Sequence, residues 1–205
     1  MYKAILFDFD GTLVQSMPLA VQAINHYAKQ YHYNPIIDAE KARHKSALRL
    51  IREDLGLTIP GFLFRSMFAV PKIMGAMKDA PLVPDLDTLL LQLATKYKLG
   101  IVDSASERRI YDCISRYSLP IQHVVADPFK LLHKDQLILD YIIRQDFIPQ
   151  EVLYVGDEVR DIEACKKIHL DIAAVTWGYN STLALEKARP NFVVDRPQDL
   201  GEILR

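Results

Sequence analysis

Two aspartates separated by one residue, Asp8 and Asp10, follow directly on the apolar run KAILF at residues 3–7. Side chains alternate along extended backbone, so Asp8 and Asp10 share one side while Phe9 points to the other. Carboxylates held that close repel and raise one another's pKa unless a cation joins them. Mg²⁺ is the natural cation, being hard, oxygen-seeking and content with one or two carboxylates plus water and substrate phosphate. Gly11 then lets the chain turn tightly against a ligand. Further along, Gly156-Asp157-Glu158-Val159-Arg160-Asp161 follows the apolar run EVLYV, and Lys134 follows the run HVVA and opens the helical pattern KDQLILDYIIRQ. A cation at Lys134 would neutralise phosphate or hold the charge of a nucleophile. Taken singly, each has an ordinary explanation: a solvated turn for Asp8 and Asp10, an exposed helix residue for Lys134, a helix cap for Asp157. The set is harder to dismiss, because Asp8, Asp10, Lys134 and Asp157 all stand at or just beyond strand ends.

For these residues to meet, their strands must share a sheet. From residue 98 onward short apolar runs alternate with helical patterns: KLGIV, SERRIYDCISRY, HVVA, KDQLILDYIIRQ, EVLYV, VRDIEACKKI and DIAAV. Strands that are apolar almost throughout belong to parallel sheets covered on both faces. The fold class is therefore α/β, a doubly wound and mostly parallel Rossmann-like sheet, with KAILF in its middle. Residues 192–194 supply a last strand and 197–204 a short helix. Ligands of such sheets bind outside the carboxyl ends of the strands, where the acidic residues and Lys134 lie.

Residues 15–81 read differently. They contain no convincing buried strand but show helical periodicity in PLAVQAINHYAKQ and KARHKSALRLIREDL, followed by the aromatic and Met-rich stretch GFLFRSMFAVPKIMGAM. Pro60, Gly61, Pro71, Pro81 and Pro84 punctuate the segment. The expected organisation is a sheet domain over residues 1–14 and 82–205 with a small helical module inserted over 15–81. The Phe and Met stripe is expected to form the core of that module, and Arg43, His44, Lys45 and Arg49 a solvated helix face rather than a sensor for an anionic group.

The strand followed by DFDGT, the later Lys134, and the strand followed by GDEVRD resemble motifs one, three and four of the haloacid dehalogenase superfamily, particularly its phosphoglycolate phosphatase-like branch. The resemblance spans the two-thirds of the chain assigned to the sheet. Residues 15–81 correspond in position and character to the helical cap of that branch, and TWGYNS at 176–181 to a loop after its next strand. The resemblance implies a Mg²⁺-dependent phosphatase acting on a small phosphorylated metabolite. Asp8 would be the nucleophile that forms an aspartyl-phosphate. Asp10 would serve as general acid and then base, with its backbone carbonyl on the metal. Asp8, Asp10 and Asp157 would hold the ion, with Asp161 or Glu158 in support. Lys134 would screen the phosphoryl charge, and Gly11, Thr12 and Ser104 would contact the phosphate. The same nucleophile and cap also serve sugar phosphomutases.

The chain departs from this pattern at two positions. Where motif two carries a serine or threonine, the run LGIV is followed by Asp103-Ser104-Ala105-Ser106. A carboxylate about 4 Å from a phosphate charge costs on the order of 4 kcal/mol per unit charge at an effective dielectric of 20. Three arrangements would relieve this: Asp103 turned away with Ser104 on the phosphate, a protonated Asp103, or a second cation. The first is favoured, since a hydroxyl is already present. A phosphate-binding or regulatory protein that lost turnover through Asp103 is the competing reading. Gln15 replaces an acidic residue frequent at the start of the cap linker.

Bulk properties narrow the classes further. In 205 residues, 25 Lys and Arg against 26 Asp and Glu give a formal net charge of -1, which provides no field to recruit nucleic acid or an anionic membrane. Cys113 and Cys165 lack metal-ligand or redox spacing and read as buried, reduced thiols. The opening residues lack the pattern of a signal peptide, and no apolar run approaches the roughly 20 residues that span a bilayer. A cytoplasmic protein is the expectation. His26, His32, His123 and His169 lack ligand spacing and fall to surface or packing roles. Trp177 either lines the cleft or packs at the end of the sheet. Oligomeric state is not legible.

Overall fold

A computed structural model describes residues 1–45, 49–127 and 133–204. Six parallel strands form one sheet: β1 (Ala4–Phe7), β2 (Lys98–Asp103), β3 (His123–Ala126), β4 (Val152–Gly156), β5 (Asp171–Val175) and β6 (Phe192–Val194), in the spatial order β3-β2-β1-β4-β5-β6. The opening run thus lies inside the sheet, as its apolar character predicts. Phe7 pairs in register with Ile101 of β2 and Val155 of β4, so the chain leaves all three strands along one rim.

The period of the strand sorts its side chains into two cores. Ile5 and Phe7 join Leu99, Ile101, Leu153 and Val155 on one face, whereas Ala4 and Leu6 join Val102, Val152 and Tyr154 on the other. The first face is covered by α4 (Leu86–Leu93), α5 (Glu107–Tyr117) and α9 (Pro197–Ile203), through Leu90, Ile110, Cys113 and Leu200. The second is covered by α6 (Lys134–Arg144), α7 (Val159–Lys167) and α8 (Thr182–Ala188), through Ile138, Ile162, Cys165 and Leu185. Fully burying a side chain such as Leu90, Ile110 or Ile138, each at 0% exposure, contributes roughly 1.5–3 kcal/mol. Those strands stay in place because both of their faces are apolar. Both cysteines are buried and unpaired, as expected.

The helical module sits between β1 and α4. It comprises α1 (Met17–Tyr27), α2 (Ala39–Arg43), a π-helical turn at Leu50–Asp54 and α3 (Ile59–Ala76). Asp38 caps α2 by accepting from the Lys41 N–H at 2.9 Å, and Thr58 caps α3 by accepting from the Gly61 N–H at 3.2 Å. A separate small core of Ile36, Ile51, Leu55 and Leu57 holds the module together. The two segments that join it to the sheet run side by side: the Gln15 N–H donates to Pro81 O at 2.8 Å and the Val83 N–H to Leu13 O at 2.9 Å.

Three expectations for this module need correction. The single helix expected across residues 41–55 is not continuous, because α2 ends at Arg43 and a turn and bend follow at His44 and Lys45; residues 46–48 lie outside the described residues, and Arg49 is helical and leads into the π turn at Leu50–Asp54. The Phe and Met stripe of α3 is not uniformly core. Ala69 and Met77 are buried and Phe62 packs on the small core, but Phe64 is 66% and Met67 70% exposed. The helix is apolar around more of its circumference than the module can cover. The basic cluster is not a plain solvated face either. Arg43 donates to Thr176 O at 2.9 Å, His44 Nδ1 lies 2.6 Å from Ser181 Oγ, and Lys45 pairs with Asp54 at 2.6 Å. Arg43 O also accepts from the Ser181 N–H at 3.0 Å. These residues pin the module to the loop after β5. Arg49, by contrast, is 63% exposed at its side chain and pairs only locally with Glu53.

Candidate active site

The rim shared by β1, β2 and β4 collects the residues singled out in the sequence. Asp8 follows β1 directly, and its N–H donates to Val155 O at 2.8 Å, which extends the sheet pairing by one residue and carries the side chain to the rim. That carboxylate is wholly buried. Lys134, in the first turn of α6, is buried as well and places Nζ 2.7 Å from Asp8 Oδ1 and 2.6 Å from Asp161 Oδ1. Neither Asp8 oxygen meets a donor in hydrogen-bond geometry, the Lys134 contact being an ion pair alone. Burial works against the charge of Lys134, but Asp161 and Asp8 outweigh it and hold its pKa well above the ordinary lysine value.

Asp157 follows β4 and is fully engaged on its own side. Its Oδ1 accepts from Thr12 Oγ1 at 2.8 Å and its Oδ2 from the Tyr179 N–H at 2.6 Å. Asp161 closes the first turn of α7, accepting from the Glu158 N–H at 3.1 Å. Carboxylate oxygens of Asp8, Asp157 and Asp161 lie within 4.8 Å of one another. Two glycines make room for this cluster. Gly11 has φ +85°, and a Cβ there would run into the side chains of Asp157 and Tyr179. A Cβ at Gly178 would likewise overlap the Asp157 carboxylate. The Gly11 N–H donates to Val14 O at 3.0 Å, so this residue shapes the turn and does not turn its N–H outward.

Asp10 turns away from that cluster. Arg109 grips it with two bonds, Nη1 to Oδ2 at 2.5 Å and Nη2 to Oδ1 at 2.6 Å, while the guanidinium stacks 5.1 Å from the centre of the Phe9 ring. Burial pushes the Asp10 carboxyl up, and the Arg109 bonds only partly offset it. Asp103, which ends β2, is buried beside Asp8. Its Oδ2 accepts from the Phe9 N–H at 3.3 Å and its Oδ1 from the Ala105 N–H. Burial opposes its ionisation, yet its bond with Asp8, the charge of Lys134 and the Ala105 N–H hold it down at about 2. Burial drives Asp8 the other way, well above the usual carboxylate range, with Lys134 opposing and Asp103 and Asp161 adding to the rise. Two carboxylates this close resist ionising together, and Lys134 offsets part of that repulsion. Of the three arrangements considered for Asp103, the favoured one, in which it turns away, does not hold, because its carboxylate lies buried beside Asp8. Ser104 is half-buried and faces, with Asp10, into a cavity under the helical module.

Which residues fit a divalent cation follows from this charge pattern. Asp8 has two buried oxygens without donors, and Asp157 is pushed up to about 8 by burial and then by Glu158 and Asp161. Three buried carboxylates this close, with Lys134 paired to two of them, carry more negative charge than it offsets, and a hard, oxygen-seeking ion relieves the excess. Asp8, Asp157 and Asp161 therefore suit such an ion, and the Asp10 side chain, held by Arg109, lies outside their group.

Sequence reasoning missed Arg109, Gly178 and Tyr179. Arg109 was legible only as a charged residue in the first turn of a helix that starts at a strand end. The other two lay in TWGYNS, whose role is to wrap Asp157. Trp177 donates from Nε1 to Thr12 O at 3.0 Å, which ties that loop to the DFDGT turn. Asn180 accepts from the Val159 N–H at 2.8 Å and donates to Arg43 O at 3.1 Å, so one amide caps α7 and anchors the helical module.

A family model described as haloacid dehalogenase-like hydrolase matches residues 5–175. The phosphoglycolate phosphatase of Synechococcus elongatus is 35% identical over 202 residues, covering 97% of this chain and 95% of that protein. The pyrophosphatase PpaX of Bacillus mycoides is 25% identical over 220 residues, covering 98% and 96% respectively. Among solved structures, a haloacid dehalogenase-like family hydrolase from Streptococcus pneumoniae superposes with a TM-score of 0.77 at 19% identity over 100% of this chain and 99% of that one, a likeness of fold. With the family model spanning most of the sequence and a relative at this identity aligned almost end to end, the chain belongs to the haloacid dehalogenase-like hydrolases, on their phosphoglycolate phosphatase-like branch, and is an enzyme of the phosphatase type.

Proposed function

We propose that this protein hydrolyses a small phosphomonoester with Mg²⁺ as its metal, through an aspartyl-phosphate on Asp8. The observation that carries this reading is the convergence of Lys134 and the buried carboxylates of Asp157 and Asp161 on Asp8, both of whose oxygens lack hydrogen-bond donors. In the first step an Asp8 oxygen forms a bond to phosphorus, the ester P–O bond breaks, and Asp10 gives a proton to the departing alkoxide oxygen. In the second, Asp10 takes a proton from water as that water attacks the phosphoryl group and releases Asp8. Arg109 orients Asp10 and stabilises its charge when the proton has left, and Lys134 keeps positive charge beside Asp8 throughout. Asp8, Asp157, Asp161 and the backbone carbonyl of Asp10 would hold Mg²⁺, which when bound neutralises nucleophile and phosphoryl oxygens and keeps Asp8 ionised. The Thr12 hydroxyl is committed to Asp157, so Thr12 would meet the phosphate through its N–H, beside the Ser104 hydroxyl. The helical module over residues 15–81 acts as a cap on this site.

The remaining parts of the reading concern setting. No helix among the described residues is long and apolar enough to cross a membrane. Two buried free thiols and a formal net charge of -1 accord with a reducing, cytoplasmic setting and a small-molecule substrate rather than nucleic acid. The test is phosphate release from a panel of phosphomonoesters with and without Mg²⁺, for wild type and Asp8→Asn. Release that stops in the variant and on chelation supports the reading; turnover by folded Asp8→Asn at the wild-type rate refutes it.

A further inference from the structure

We propose that Asn180 is a positioning residue that couples Mg²⁺ binding to docking of the helical module, an inference that rests on the metal site proposed above. The loop at residues 176–181 wraps Asp157 on one side. The Tyr179 N–H donates to Asp157 Oδ2 at 2.6 Å, the Asn180 N–H donates to Asp157 O at 3.3 Å, and a Cβ at Gly178 would overlap the carboxylate. On its other side the same loop carries the module. Arg43 donates to Thr176 O at 2.9 Å, the Ser181 N–H donates to Arg43 O at 3.0 Å, and the Tyr179 hydroxyl lies 3.2 Å from Ser16 Oγ, where the chain enters α1.

The Asn180 side chain belongs to both sides. Its oxygen accepts from the Val159 N–H at 2.8 Å, at the start of the helix that carries Asp161, and its nitrogen donates to Arg43 O at 3.1 Å and Lys45 O at 3.3 Å. Asn180 is buried, so release of the module would strip a buried amide of both acceptors, and the loop must shift to satisfy it. Gly178 and Tyr179 lie against the Asp157 carboxylate, so that shift displaces a metal ligand in packing without slack. Conversely, holding Asp157 and Asp161 around an ion fixes the loop and the start of α7 in the geometry that receives Arg43 and Lys45. Two sites that bias one contact between docked and released states are coupled reciprocally: docking tightens Mg²⁺ by the factor by which Mg²⁺ favours docking.

The test reads the coupling in both directions on the full chain. Calorimetry gives the dissociation constant for Mg²⁺ in wild type, in Arg43→Ala, which cuts the module from Thr176 O without touching a metal ligand, and in Asn180→Ser, whose hydroxyl is too short to reach Arg43 O and Lys45 O. Each variant should bind Mg²⁺ more weakly by about fivefold or more. Arg43→Ala also removes a positive charge, which by itself would strengthen cation binding, so weaker binding there separates the loop from a field effect. In wild type, saturating Mg²⁺ should slow hydrogen exchange of the amides of residues 39–45 by about the same factor, relative to those of α5. Thermal unfolding reports whether the variants are folded, and if neither is, the wild-type exchange decides. An unchanged or tighter Mg²⁺ dissociation constant in folded Arg43→Ala, or exchange at 39–45 that ignores Mg²⁺, overturns the coupling and leaves the phosphatase reading intact. A wild type that binds no Mg²⁺ sinks both.

Discussion

Replacing Asp103 by serine puts a hydroxyl at the end of β2 and removes an ionised carboxylate from beside the nucleophile. Asp103 is buried, held at about 2, and in contact with Asp8, so its charge faces any phosphoryl group that Asp8 attacks. At about 5 Å and an effective dielectric of 20, each unit of phosphate charge is repelled by roughly 3 kcal/mol. Lys134 and a bound divalent ion screen part of this, and a residual of about 1.4 kcal/mol would be tenfold in affinity. The same substitution leaves the Phe9 and Ala105 N–H groups with one acceptor fewer, a loss of about 1–3 kcal/mol of stability. Asp103→Ser should therefore bind orthophosphate and vanadate about tenfold more tightly while melting earlier. Inhibition constants against a phosphomonoester, with unfolding curves beside them, measure both effects. Asp103→Asn separates charge from shape, because it keeps one acceptor oxygen and should recover part of the affinity gain with less loss of stability. Unchanged or weaker phosphate inhibition in both folded variants would mean that Asp103 does not oppose phosphate, and the electrostatic account of its role would be wrong.

Lys134→Met should leave Asp8 and Asp161 buried without their common cation and cost about 3–5 kcal/mol, together with nearly all turnover; urea denaturation and phosphate release read these separately. Gly178→Ala should push the Asp157 carboxylate from its place and weaken Mg²⁺ binding by roughly 10–100-fold, seen by titrating the metal against activity or thermal shift; an unchanged midpoint would contradict the packing argument. The raised pKa of Asp157, about 8 against an ordinary 3.8, sets the sign of a pH effect. The folded metal-free protein binds a proton that the unfolded chain has released, so stability falls as pH rises between those values, by up to roughly 1.4 kcal/mol per pH unit for one group. Metal binding displaces that proton, so the rise in melting temperature caused by Mg²⁺ should be larger at pH 8 than at pH 6, and equal increments at the two pH values would contradict the assignment.

Local pattern carried much of this molecule. The strands within KAILF, EVLYV and DIAAV are buried on both faces, and burial on both faces writes itself into consecutive residues, so these strands and the parallel sheet were legible without knowing what each strand touches, while HVVA, at the sheet edge, is only partly buried. The acidic residues could be placed for the same reason, since a strand's end is also the end of its apolar run. What could not be read was contact between segments far apart in the chain. Arg109 reaches Asp10 across 99 positions, and Lys134 joins Asp8 to Asp161, only because the order β2-β1-β4 sets those strand ends side by side. The helical module shows the converse. Its periodicity marked helical segments but not the break after Arg43, and whether Phe64 and Met67 face a core or solvent, and whether Arg43 is solvated or pinned to Thr176, depends on the volume and position of neighbours. A residue's own sequence records which side of its element is apolar; what that side meets is settled when the chain closes on itself.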